Sequence, residues 1–362
     1  MLRPHRLPGL ALAVVCLCAA AAPAAEDAPH HPAAPPHPEH PNVLIGGFTD
    51  FDFQANDQQT SGATSGFHTG QFVLHMTSTL SSRFSFFGEV SWTAHDAGYT
   101  TEIERSIIKF QANNYLGLSF GRYHTPINWW NTAFHHGQWL QTTVDRPEMA
   151  RFGGTFIPVH FVGTVAEGVV PMLGADFNYE AGVGNGRADT LSRDGDAGDA
   201  TNNRAWFTTL AIRPNALIPL DVGGGFYQDL AHRPDGRNFN EDISAAHAVW
   251  PSETPEVLAE IAYVRHRDTA SGALYENWGD YVQVAYRLPW VGAHFKPYAR
   301  AEQLRIADGD PVFATIAPVK ELTAGMRYDA ADFVALKAEF RRMDFEKGPD
   351  VNALQLQISC TF

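Results

Sequence analysis

The chain has 362 residues and a formal net charge of −14. That balance disfavours a nucleic-acid partner, whose phosphates it would repel. Beyond the N-terminal leader no run offers the about 18 apolar residues that a membrane helix needs. Of three cysteines, Cys16 and Cys18 lie in that leader, so Cys360 is left alone and no intramolecular disulfide braces the fold.

In chain order, residues 1–25 (MLRPHRLPGLALAVVCLCAAAAPAA) read as a secretory signal peptide. Arg3 and Arg6 precede an apolar run, and Ala22-Pro23-Ala24 fits an A-x-A cleavage site. The alternative, a membrane anchor, is disfavoured because the run is short and ends in small residues. Residues 26–42 form a Pro-rich arm with nothing to bury, predicted to be disordered and periplasmic. Its His30, His31, His37 and His40 are candidate weak ligands for a divalent metal; the bland reading is a spacer that happens to hold histidines.

Residues 43–362 alternate in character. In FVLHMTSTL, Phe72, Leu74, Met76 and Leu80 share a face; in FSFFGEVSW, Phe84, Phe86, Val90 and Trp92 do. YVQVAYRL and FVALKAEFR repeat the pattern, with charges on the minority face. NALQLQISCTF is clearest: Leu354, Leu356, Ile358, Cys360 and Phe362 oppose Gln355, Gln357, Ser359 and Thr361. Period two of this kind predicts strands with one face in lipid and the other in water. Lipid tolerates no open sheet edge, so the strands must close.

Strands are expected at about 43–53, 67–80, 83–94, 102–112, 115–123, 155–166, 172–183, 204–213, 219–230, 241–250, 256–267, 277–288, 294–306, 318–328, 332–343 and 351–362. The fold class is thus all-β, a transmembrane antiparallel barrel of about sixteen strands, an even number as such barrels require. EIERSIIKF has no clean face and 241–250 reads equally as loop or helix; without both, fourteen strands remain. Connections alternate in length. Ser81-Ser82, Asn113-Asn114 and Asp329-Ala330-Ala331 are predicted tight turns facing the periplasm, and 54–66, 124–154 and 184–203 long external loops.

The longest, 124–154, opens HTPINWWNTAFHHGQWLQTT, with three Trp, three His and no formal charge. Trp and His have an apolar body and a polar tip, suited to a segment that packs on a wall and meets water. His124, Asn128, Trp129, Trp130, Asn131, His135, His136, Trp139 and Gln141 are the candidate constriction residues, and Asn128, Asn131, Gln138 and Gln141 are expected to tie the loop to lumen side chains. The alternative is an external loop stabilised by its own aromatics. His124, His135 and His136 suit zinc, copper or nickel, but no Cys, Asp or Glu lies between Phe120 and Val144, and adjacent His side chains diverge on extended backbone.

A terminal Phe362 in register with the apolar face resembles the C-terminal strand of Gram-negative outer-membrane β-barrels. That resemblance implies that Phe362 is part of the signal read by the barrel assembly machinery. The placement of the long loop third among the external loops resembles the sixteen-stranded porins, in which that loop folds into the lumen. FGRYHTPINWWN is similar to a stretch of phosphate-selective-porin-like proteins, although that family's anion-binding Lys and Arg find no match here. The resemblance implies an outer-membrane porin passing small hydrophilic solutes or ions, lying in outer-membrane lipid, with a homotrimer as the assembly common in that class, and without a required cofactor. The alternative is a binding or uptake protein for a transition metal such as zinc.

Enzyme signatures are lacking: there is no G-x-S-x-G, H-E-x-x-H or P-loop. A barrel-embedded hydrolase remains a third reading. DGDAGDATNN suggests a loosely held divalent ion but lacks the Glu that closes an EF-hand loop. Alternation assigns Asp50, Asp52, Glu89, Asp176 and Glu180 to one lumen wall, opposed by Arg83 alone. Arg287, Lys296, Arg300, Arg327, Lys337 and Arg341 fall on the other, with Glu302, Glu321 and Glu339. Walls of opposite sign would set up a transverse field; the competing reading is that neighbours pair and cancel.

Overall fold

The computed structural model describes residues 42–58, 65–95, 98–134, 136–151, 155–188, 191, 195–214 and 219–362. The leader, the arm through Pro41 and His135 lie outside the described residues.

Period-two segments become strands throughout. They are β1 (Asn42–Asn56), β2 (Gly66–Thr79), β3 (Phe84–His95), β4 (Gly98–Asn113), β5 (Leu116–His124), β6 (His160–Met172), β7 (Ala175–Asn185) and β8 (Ala205–Pro214). There follow β9 (Asp221–His232), β10 (Asn238–Pro251), β11 (Glu256–Asp268), β12 (Leu274–Ala285), β13 (Phe295–Arg305), β14 (Val319–Ala331), β15 (Val334–Phe345) and β16 (Val351–Thr361). Each pairs with its sequence neighbours, and β1 closes on β16, giving a sixteen-stranded antiparallel barrel. The polarity is that of a membrane wall. On β16, Leu354, Leu356 and Ile358 are exposed, whereas Gln355, Gln357 and Ser359 are buried. Apolar side chains outside and polar ones inside suit lipid, not water, as the surrounding medium.

The seam is tight. Gly47 and Phe362 exchange backbone hydrogen bonds of 3.0 and 3.1 Å, and the Phe362 ring stacks on Phe72. A Cβ at Gly47 would fall 2.3 Å from the Val73 carbonyl oxygen, so only glycine lets the three strands approach here. Aromatic residues cluster at the short-turn end, among them the Phe84–Phe110, Tyr286–Trp290 and Phe295–Tyr328 pairs, as expected of an interfacial girdle.

Both doubtful segments are strands, so the fourteen-strand alternative falls. The β4 pattern is disguised by a β-bulge. Glu89 pairs with Arg105 and Val90 with Ile103, so Glu104 is the extra residue and the alternation breaks there. In β10 the inward face is mixed: Phe239, Ile243 and Val249 are buried beside Glu241, while Asn240 and Ser244 are exposed. Two boundaries are corrected. β6 starts at His160, not 155, because Phe156 and Ile157 pack inward as part of the loop and Thr155 has a positive φ of 56°. The β14–β15 turn is Asp332-Phe333; Asp329–Ala331 stay in the strand with an irregularity in register.

Inside the barrel is a second feature, an apolar cluster. Trp130, Met149, Phe156 and Ile157 of the β5–β6 loop pack with Phe207, Tyr227, Ile243, Leu258 and Tyr281 of the wall.

Candidate functional site

The β5–β6 connection, 125–159, joins β5 to β6 but makes many of its polar contacts with mid-strand residues of β11 and β13–β16. Its α-helix, α1 (Trp129–Phe134), is capped by Asn128, whose Oδ1 accepts the Asn131 N–H at 2.8 Å. Glu260 of β11 completes this end. Its carboxylate accepts the N–H groups of Trp129 (2.7 Å) and Trp130 (2.9 Å), Nδ2 of Asn128 (2.8 Å) and the hydroxyl of Tyr281 (2.6 Å). Trp130 is fully buried.

From here the loop is held largely by its backbone. Arg327 donates to the carbonyls of Trp139 (2.6 Å) and Gln141 (2.8 Å), and Lys337 to those of Gln138 (2.5 Å) and Thr143 (2.9 Å). Arg300 donates to the carbonyls of Asp145 (2.8 Å) and Arg146 (3.2 Å). Acids of the same wall take the loop's N–H groups: Glu339 that of Val144 (2.8 Å), Glu302 that of Glu148 (2.5 Å). Arg341 pairs with Asp145, Glu148 and Glu321. The Arg327 and Arg300 guanidiniums lie 5.7 and 5.9 Å from the rings of Trp139 and Trp130, within cation–π range. Burial raises the Asp145 carboxyl, but the Arg341 charge overcomes it and holds the group below its ordinary value.

The expectation about loop amides is therefore corrected. Asn128 reaches a wall side chain, but Asn131 and Gln141 donate to loop carbonyls, of Thr125 and Val159 and of Phe134 respectively. The wall's long cationic side chains do the reaching.

The charge assignment is also revised. Lys296, Arg300, Glu302, Arg327, Lys337, Glu339 and Arg341 are buried as alternation predicts, and so are Asp50 and Glu89. Asp52, also on β1, is partly buried. Arg287 lies beyond the end of β12 and pairs with Glu253 and Asp329; Arg83 is exposed in the β2–β3 turn. Many of these lumen charges are engaged in ion pairs. Arg300 meets Glu302 at 2.7 Å, Lys296 meets Glu256 at 2.7 Å, Arg327 meets Asp329 at 2.8 Å, and on the early wall Glu89 meets Arg105 at 2.5 Å. The partners include Glu256 of β11 and, for Arg341, the acids Asp145 and Glu148 that the loop itself carries.

Cavities lined by described residues flank the loop. One of about 240 Å³ lies between it and the β1–β2–β16 wall, lined by Asp52, His68, Gln138, Asp145, Gln355 and Gln357 among others. Another, of about 710 Å³, opens towards the short turns between Trp129, Trp139, Glu256, Arg287, Lys296 and Arg327.

Where the loop leaves and rejoins the wall, His124 and His160 are cross-strand partners. His136 of the loop and Glu104 of the β4 bulge join them. Glu104 Oε2 lies 2.8 Å from His160 Nε2 and 3.0 Å from His136 Nε2. Burial holds His136 below the ordinary imidazole range, against the pull of Glu104. Two of these residues were candidates from sequence; Glu104 and His160 were not.

This is the closed sixteen-stranded fold of the outer-membrane porins. An anion-selective porin from Comamonas acidovorans is 14% identical, with 89% of this chain and 100% of that chain covered at a TM-score of 0.66. The outer-membrane channel DcaP of Acinetobacter baumannii is 13% identical over 89% and 97%, with a TM-score of 0.60. The trimer form of OmpT, an outer-membrane protein of Vibrio cholerae, is 13% identical over 90% and 100%, also at 0.60. No family model and no curated protein matches the sequence.

Proposed function

We propose that the chain is an outer-membrane channel for passive diffusion of small hydrophilic solutes or ions, and that the β5–β6 loop is its constriction. The observation that carries this reading is the loop's course. It is tied at successive points to mid-strand residues of the opposite wall, and a polar cavity remains between it and β1, β2 and β16. A segment held there reduces the cross-section without sealing it, and the Asp52, Asp145, Gln355 and Gln357 side chains replace part of a solute's hydration shell. The exposed apolar belt argues for lipid around the barrel. A homotrimer follows by analogy with the trimer form of Vibrio OmpT. Reconstitution in planar bilayers tests the proposal: it predicts discrete conductance steps, which a sealed barrel does not give. Chemical cross-linking of the purified protein tests the trimer.

A further inference from the structure

We propose that Glu104, His124, His136 and His160 bind one divalent transition-metal ion, zinc being the best fit, and that this ion staples the loop to the barrel wall. One ligand atom from each residue lies within 4.8 Å of all the others. A tetrahedral zinc site at metal–ligand distances of about 2.0–2.1 Å sets its ligand atoms roughly 3.3 Å apart, so small side-chain rotations close the set. Three imidazoles and one carboxylate are borderline ligands that suit zinc, and also copper, nickel or cobalt.

The surroundings are those of a built site. Three ligands sit on rigid strands: Glu104 on the β4 bulge, and His124 and His160 opposite one another where β5 and β6 end and begin. The fourth, His136, is carried in by the loop just after α1. Supporting groups orient them. His136 Nδ1 is 3.1 Å from Gln71 Oε1, and Ser91 Oγ donates to Glu104 Oε1 at 2.5 Å. Such outer contacts fix which ring nitrogen faces the metal. Arg122 approaches Glu104 Oε2 to 3.7 Å but is engaged elsewhere, by Asp196 at 2.8 Å and by the carbonyls of Ile103 and Glu104.

Four protein ligands and deep burial leave no open position, which makes this a resident structural ion and not a catalytic one. The ligand set joins loop to wall, so its occupancy sets how firmly the loop is held. The inference stands apart from channel function, because metal content is measured whether or not the barrel conducts.

The test uses the full chain with His30, His31, His37 and His40 replaced by alanine, which removes the arm as a competing binder. After stripping with a chelator, the folded protein in detergent is titrated with cobalt(II), then with zinc. The proposal expects one cobalt per chain with the intense visible bands of a tetrahedral site, displaced by one equivalent of zinc. His160→Ala and Glu104→Gln should each weaken binding by more than the roughly 10–100-fold that loss of a supporting group produces. His294→Ala, outside the cluster, should bind as the parent does. A parent that takes up no cobalt, or takes it up with the weak bands of a hydrated ion, overturns the proposal. So does unchanged affinity in folded His160→Ala. If the variants do not fold, the parent's stoichiometry and spectrum decide alone.

Discussion

Glu260 Oε1, on β11, accepts the backbone N–H of Trp130 at 2.9 Å, although Trp130 belongs to a loop rooted six strands away between β5 and β6. The same carboxylate takes the Trp129 N–H and the Asn128 amide, so one buried acid fixes the start of α1. Glu260→Ala leaves these neutral donors buried without an acceptor, a change of the kind that costs about 1–3 kcal/mol per stranded group. The variant should unfold at lower temperature by circular dichroism and give larger, noisier conductance steps. Glu260→Gln keeps an acceptor and should fall between it and wild type.

Arg341 ties Asp145 and Glu148 of the loop to Glu321 of the wall. Arg341→Gln leaves three acids near one another with less positive charge. The loop should swing more freely, raising single-channel conductance and shifting the reversal potential in a salt gradient towards cations. Unchanged conductance with a lowered unfolding midpoint would mean that Arg341 braces the wall and does not position the loop.

Acid should release the same contact. Asp145 is held below its free value of 3.8 by Arg341 acting against burial. A carboxyl depressed in the folded state contributes anchoring that is complete above its free value and is lost as pH falls through the depressed one. Conductance governed by this contact should therefore be flat from pH 7 to about 4 and rise only below that. Asp145→Asn should abolish the rise; a rise already present near pH 6 would assign it to groups other than Asp145.

At the seam, Phe362 stacks on Phe72 and its backbone bonds to Gly47. Phe362→Ala should remove about 0.5–1.5 kcal/mol of aromatic contact beyond its buried area, lowering the yield of folded, heat-modifiable barrel on gels. Conductance of the barrels that do form should be unaltered, since the ring lies on the exposed face.

Legibility followed the physics of each segment. Strands with lipid on one face and water on the other, such as β15 and β16, declare themselves by period two alone. β4 did not, because an inserted residue at Glu104 resets the alternation, and that residue is the carboxylate of the histidine cluster. β10 did not, because it turns apolar side chains to the inner cluster and small polar ones outward. The loop's residue types were readable as wall-packing, but what holds it was not. Its anchors are backbone groups, and their partners, Glu260, Arg300, Arg327 and Lys337, stand more than a hundred residues away in sequence. The pairing of His124 with His160 depends on strand register, which no local pattern reveals.

The central claim is that the β5–β6 loop narrows a water-filled barrel. It is tested most directly by comparing single-channel conductance of the wild-type protein with that of a variant whose residues 126–158 are replaced by a short Gly-Ser linker. The account predicts discrete steps in both and a severalfold larger step in the variant. Equal steps would contradict it by placing the loop outside the permeation path, and the absence of steps in both would contradict the channel itself.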